Sequence, residues 1–346
     1  MATWDRNWGC RVEIGGTTRG WATAILQNEK IRVTVLVGKG CDVIEMLYKP
    51  LDVDLAPKTG RGLRRREDFL SAPWSEMGSF LDNYEGGWQE IFPHGGPPGM
   101  YEGASFPQHG ESARIPWQVE VVTDTAESVE IVCKARLSIM PFYAEKRFHI
   151  SGSSAILHMT SVIVNEGSGD LPMMSGQHIV FGEPFAGPGS RIDFPLGTSY
   201  LAHDPSGFAL GRRSDGSSGE WPLRYGSSGD RIDMAVLPDA GTPSDLHYLT
   251  PSEGWYTITS ANQSLRARVS WDHVSHPYVW FWQEFGSENT YPWWGMEYLV
   301  GLEPWTSIPG SGLAAAVQSG TARIIKPGGS YFSDLKIQIE EMEIST

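Results

Sequence analysis

Cysteine is scarce. The 346-residue chain holds 3 of them, Cys10, Cys41 and Cys133, widely spaced and with no C-x-x-C pair. An odd number so spaced does not build a disulfide framework and reads as reduced thiols. Long apolar runs are missing too. Nothing approaches the roughly 18 consecutive apolar residues of a membrane-crossing helix. The first residues, MATWDRNWGCRVEIGG, hold no apolar segment of a secretory signal. The expectation is a cytoplasmic protein with no membrane partner. Positive charge is short: 27 Lys and Arg stand against 41 Asp and Glu, a net charge of −14. That balance argues against nucleic acid as the main partner and mildly favours a neutral substrate. No window of 11 or more residues keeps the helical i, i+3, i+4, i+7 apolar spacing. The G-x-G-x-x-G, Walker A, H-E-x-x-H and G-x-S-x-G patterns are also absent. Their absence removes support for nucleotide, zinc-protease and α/β-hydrolase chemistry.

What the chain does contain is strand pattern. Ile31–Val37 and Asp42–Tyr48 flank a Gly-Lys-Gly turn and predict a hairpin. From Trp117 the segments WQVEVVT, SVEIVCKARLSI, EKRFHIS and AILHMTSVIV follow one another with short polar turns, the spacing of an antiparallel sheet. Further strands are expected over Gly254–Ala261, Leu265–Trp271 and Tyr278–Phe285, and a closing hairpin over Ala322–Lys326 and Tyr331–Ile344. Residues 50–115 are largely irregular, with a short helix expected at GLRRREDFL, and a loop region that long is usually functional. The expected architecture is all-β: one large twisted antiparallel β-sandwich with long loops, spanning residues 1–346 as a single domain.

Gly295–Ser307, GMEYLVGLEPWTS, is the stretch with the clearest chemistry. Alternation on a strand puts Glu297, Leu299, Gly301 and Glu303 on one face. Gly301 predicts open space beside the Glu303 carboxylate, and Pro304 predicts that pairing stops or bulges there. An ordinary strand end with a solvated Glu explains the same residues. Other polar clusters lie at NYEGGW, PHGG, QHGESAR and SGQHIVFG. If QHGESAR is extended, His109 and Glu111 share a face, and imidazole with carboxylate can relay protons, bind hydroxyls or hold a metal. The competing reading is a loop histidine capping backbone groups. His94 fits a tight turn and His158 a satisfied sheet histidine. Among 14 Trp, Trp88, Trp280, Trp282, Trp293, Trp294 and Trp305 are candidate sugar platforms, though core packing explains any one of them equally well. Arg64–Arg66 could bind a phosphate or sulfonate, but such a run is more often a solvated loop face.

The ordered set HGESARIPW (109–117), GQHIVFGEPF (176–185) and GLEPWTS (301–307), with GWQEIFPHGG (87–96), resembles the aldose 1-epimerase, or galactose mutarotase-like, superfamily. It is most similar to the bacterial aldose-epimerase-like branch. The resemblance implies a large β-sandwich and an isomerase that interconverts sugar anomers without a cofactor. It implies Glu303 as catalytic base, His178 as acid and His109 as a third catalytic group. Arg114, Glu111, Gln177, Trp88 and Trp305 are then the sugar-binding residues. The sequence departs from the family pattern in its short signature around His178, in Glu111, and in the spacing of Arg114 from His109. Two rivals follow. One is a keto-sugar epimerase or β-eliminating lyase, with a divalent metal on His109, Glu111, His178 and Glu303. The other is a non-catalytic carbohydrate-binding protein. The partner in each case is a small-molecule sugar; homo-oligomerisation is left open.

Overall fold

Alternation decides where each strand faces. In Phe142–Ser151 every second residue from Phe142 to Ile150 is buried, and Ile156–Asn165 repeats the pattern from Leu157. Strands that are half buried in this way must lay one face on a second layer. In the computed structural model, which describes residues 6, 8–71, 75–203, 217–225, 229 and 231–342, that second layer is a larger sheet. The eight-stranded sheet contains the four successive strands Gln118–Asp124, Ser128–Arg136, Phe142–Ser151 and Ile156–Asn165 as direct neighbours. The twelve-stranded sheet starts at Arg11–Thr18 and Trp21–Gln27 and continues into the expected hairpin of Ile31–Leu36 and Asp42–Tyr48. It then runs through Trp88–Ile91, Gly176–Gly182, Tyr298–Trp305, Tyr278–Phe285 and Asp245–Thr250. One apolar core fills the interior, with Leu26, Val33, Phe181 and Leu302 from one sheet and Val129, Phe148, Ile163 and Tyr256 from the other. Each such side chain contributes about 1.5–3 kcal/mol by leaving water. Among the described residues, no helix is long and apolar enough to cross a membrane.

The central strands of the larger sheet are buried on both faces. Gly176–Gly182 is buried at every position, and Tyr298–Trp305 at every position after Tyr298. Their outer face is covered by the irregular region before residue 115, including the short helix Gly78–Leu81, and by the 288–293 and 310 loops. The sequence-predicted helix at GLRRREDFL is present as Arg66–Ser71.

Two local expectations are corrected. The closing hairpin does not form. Arg323–Ile325 pairs with Leu171–Met173, while Ser330–Glu341 lies between Ile156–Asn165 and Leu265–Trp271. Both edges of that long strand are taken, so the turn joins neighbours in sequence but not in a ladder; residues 343 and 344 lie outside the described residues. Pro304 does not end its strand either. Val279 pairs with Pro304, and Trp305 pairs on both sides. The missing N–H shows only toward Gly176–Gly182, where the ladder lapses between Gly176↔Trp305 and Val180↔Gly301.

Candidate functional site

Strand register aligns the site. Gln89 pairs with His178, Trp280 with Glu303, and Tyr248 with Trp280. The pairs Gly176↔Trp305 and Val180↔Gly301 place His178 opposite Glu303. One row across the sheet therefore reads Gln89, His178, Glu303, Trp280, Tyr248, all on the outer face. The next row adds Gly301, Trp282 and Leu246. This face floors a cavity of about 270 Å³, large enough for one sugar ring, roofed by Phe80, Leu81, Tyr84, Gln108, His109 and Trp293.

Glu303 and His178 meet directly. Glu303 Oε1 lies 3.7 Å from His178 Nε2. Trp305 Nε1 donates to the other carboxyl oxygen at 3.0 Å and so holds the carboxyl plane. Trp305 is itself locked, stacked on Trp280 with ring centroids 3.9 Å apart. It is also pressed against Gly95 and Gly176, where an added Cβ would come within 2.5 and 2.1 Å of the indole. On the other side, His178 Nδ1 contacts Gln89 Oε1 at 3.1 Å, and Gln89 Nε2 donates to the Gly86 carbonyl at 2.7 Å. The Gly86 bond fixes the amide orientation. Gln89 oxygen must then accept from Nδ1–H, which leaves the Nε2 lone pair of neutral His178 facing Glu303.

Burial sets the proton. It pushes the Glu303 carboxyl up to about 8, against the opposing hydrogen bond from Trp305. It pushes the His178 imidazole down to about 4. Near neutral pH the pair holds one proton, resting on Glu303. His109 completes the cluster. Its ring centroid lies 5.5 Å from that of His178, and its Nδ1 accepts from the Gly96 amide at 3.2 Å. Burial, then His178 and His94, drive its pKa well below the usual value, so it is a neutral ring with Nε2–H as donor.

The other expected site residues lie elsewhere. His109 and Gly110 have φ of 59° and 68°, a left-handed turn, so His109 and Glu111 do not share a face. The Glu111 carboxylate accepts from the Ser138 and Ile139 amides at 2.9 and 2.8 Å. With Arg114 it lines a second cavity, beside Ser105, Pro107, Ile115 and Ile139. The proposed metal set of His109, Glu111, His178 and Glu303 is therefore not assembled. Among the described residues, no group of three or more His, Cys, Asp or Glu is placed to hold an ion. Trp88 and Gln177 sit on the inner face, one residue out of phase with Gln89 and His178. Trp88 Nε1 donates to Gln177 Oε1 at 2.9 Å, and Gln177 Nε2 to Glu90 Oε1 at 3.0 Å. Trp305 is fully buried and offers no free face. Gly301 leaves no open space, because an added Cβ would lie 2.4 Å from Glu303 Oε1: the carboxyl itself fills the gap.

Gln89 and Tyr84 were missed by sequence reasoning, and Gln108 was passed over within QHGESAR. Their signal was position: Tyr84 lies in NYEGGW, and Gln89 follows it by five residues. Trp280, Trp282 and Trp293 line the cavity, as candidate platforms should; Trp294 does not. His94 is a turn histidine bound at both nitrogens, to the Pro97 carbonyl and the Leu313 amide. His158 pairs with Asp334 in the sheet.

No protein-family profile matches the chain, and no curated protein matches it by sequence. Solved structures do match. A Klebsiella pneumoniae protein, provisionally assigned as an aldose 1-epimerase, superposes with a TM-score of 0.72 at 14% identity, over 96% of this chain and 83% of that one. A galactose mutarotase-like protein from Clostridium acetobutylicum gives 0.68 at 15% identity, over 96% and 99%. The Slr1438 protein of Synechocystis gives 0.64 at 18%, over 93% and 96%. At such identities the likeness is one of architecture, and on that architecture the protein has the galactose mutarotase-like fold.

Proposed function

We propose that the protein is a mutarotase, an aldose 1-epimerase that interconverts sugar anomers by acid–base ring opening. The observation that carries this reading is the facing pair, Glu303 Oε1 and His178 Nε2, 3.7 Å apart in a cavity of ring size. Mutarotation needs a base on the anomeric hydroxyl and an acid on the ring oxygen. Transfer of the shared proton from Glu303 to Nε2 produces both at once. The carboxylate removes the anomeric proton, the imidazolium protonates the ring oxygen, and the C1–O5 bond breaks to the open aldehyde. Rotation about C1–C2 and reversal of the two transfers close the other anomer, and the pair regains its single proton. His109 Nε2–H donates to the ring oxygen or an adjacent hydroxyl. Trp282 and Trp293, the partly exposed indoles of the lining, offer rings to the C–H face of the sugar.

The test is two-dimensional exchange NMR of aldose anomers with wild type and Glu303→Gln. Gln keeps the acceptor for Trp305 but cannot exchange a proton. Exchange should fall at least about 100-fold, while sugar binding, read by tryptophan fluorescence, is kept. Failure of the wild type to accelerate any anomeric exchange would overturn the proposal.

A further inference from the structure

Gln89 is fully buried, yet it carries a polar amide between the site and the loop that precedes its strand. Both ends of the amide are used. Its Nε2 donates to the Gly86 carbonyl at 2.7 Å, and its Oε1 accepts from His178 Nδ1–H at 3.1 Å. A flipped amide would set two acceptor oxygens 2.7 Å apart at Gly86. The orientation of the amide, and with it the tautomer of His178, therefore depends on how firmly the Gly86 carbonyl is held.

Several contacts hold it. Gly86 and Gly87 have φ of 95° and 77°. A Cβ on Gly86 would lie 2.0 Å from the Pro57 carbonyl oxygen, and one on Gly87 2.3 Å from that of Val43, so only glycine fits the turn. The Gly87 carbonyl accepts from the Val180 amide at 3.2 Å. The residues just before are tied to Thr59, whose amide donates to the Glu85 carbonyl at 3.1 Å and whose hydroxyl donates to the Tyr84 carbonyl at 2.7 Å. Lys39 Nζ donates to both Glu85 carboxylate oxygens at 2.8 Å and to Asp42 Oδ2 at 3.2 Å. All three charges are buried. Desolvation offsets most of what such ions contribute to stability; their geometric effect is to fix the segment that carries Gly86. The titratable groups around His178 are engaged elsewhere than at Nδ1. Glu303 faces Nε2, His109 Nδ1 accepts from the Gly96 amide, and Tyr84 Oη makes no hydrogen bond.

Building on the mutarotase reading, we propose that Gln89 is a positioning residue: it keeps His178 in the Nδ1–H tautomer, so that Nε2 is free to take the proton from Glu303 and pass it to the ring oxygen. In the opposite tautomer Nε2 already carries a hydrogen and cannot receive that proton. The turn at Gly86, clamped through Glu85 and Lys39, is the support on which the choice of tautomer rests.

The experiment reads tautomer and rate separately in wild type, Gln89→Met and Gln89→Glu. Long-range proton–nitrogen NMR of histidine-labelled protein at about pH 6, with the His178 signals assigned by their loss in His178→Gln, should show Nδ1 protonated and Nε2 bare in the wild type. Gln89→Met keeps the volume but offers no acceptor. The Nε2–H form should then appear, and kcat for anomeric exchange should fall about 10- to 100-fold with KM nearly unchanged. In Gln89→Glu the buried carboxyl, neutral at that pH, can donate to Gly86 and accept from Nδ1–H, so the tautomer and most of the lost rate should return. Nε2–H in the wild type, wild-type kcat in Gln89→Met, or a loss of kcat with the tautomer unchanged would each overturn the proposal. The spectra need no substrate. If the wild type exchanges no anomers, the mutarotase reading fails, while the tautomer and its change in Gln89→Met still decide the role of Gln89.

Discussion

A carboxyl and an imidazole that share one proton make a pH-bounded catalyst. With Glu303 raised to about 8 and His178 lowered to about 4, the one-proton state spans that interval. The kcat/KM profile should be flat between about pH 4 and 8 and fall on both sides, on the acid limb as His178 gains a second proton and on the alkaline limb as Glu303 loses the last. A profile centred elsewhere would separate the activity from this pair. The same shift acts on stability. The folded pKa of Glu303 is raised, so its favourable contribution is full below the unfolded carboxyl pKa and is lost as pH rises toward about 8. Glu303→Gln should therefore unfold at a higher temperature than wild type, by a margin that grows from pH 5 to pH 8. Gly301→Ala places a Cβ 2.4 Å from Glu303 Oε1. The carboxyl end can move but the backbone cannot. Activity should drop about tenfold or more with little change in melting temperature, since misplacing a reacting group by an ångström is costly.

Behind the row of Gln89, His178, Glu303 and Trp280 the strands carry a second, inner row that ties the two sheets together. Glu90 Oε2 accepts from Ser161 Oγ at 2.8 Å and pairs with Lys146 Nζ at 3.3 Å, both charges being almost wholly buried. Glu90 and Gln177 belong to the larger sheet, Lys146 and Ser161 to the smaller. Lys146 also lies over the Trp117 ring, 4.9 Å from its centroid. Removing one member leaves the other charge stranded, at about 3–5 kcal/mol. Lys146→Met should cost that much by urea denaturation, and adding Glu90→Gln should return most of it. Simple additivity of the two losses would mean that the pair does not couple across the sheets. This network is where Trp88 and Gln177 serve. One-residue alternation sends Gln177 inward and His178 outward, so adjacent residues in one strand do unrelated work.

Taken whole, the molecule is acidic and its cavity holds no cation among the described lining residues. A neutral substrate feels no long-range field. The kcat/KM for a neutral aldose should then stay within about twofold as salt rises from roughly 10 to 500 mM. A steep salt dependence would point to a charged substrate.

The sequence by itself determined many of the strands, though not Arg11–Thr18 or Trp21–Gln27, together with the all-β class and the chemical character of the Glu303, His178 and His109 segments. Alternation and turn residues are local signals, readable within a few positions. It also marked the 50–115 region as functional, and that region does supply Phe80, Tyr84, Gln108 and His109 to the roof. Only the tertiary structure decided which side chains meet. A left-handed turn at His109–Gly110 sent Glu111 and Arg114 to another cavity. Strand pairing set Gln89 beside His178 and brought His178 opposite Glu303, across a gap of 125 residues in the chain. Register across a sheet depends on partners far apart in sequence, and burial, which sets where the proton rests, depends on every layer packed above them.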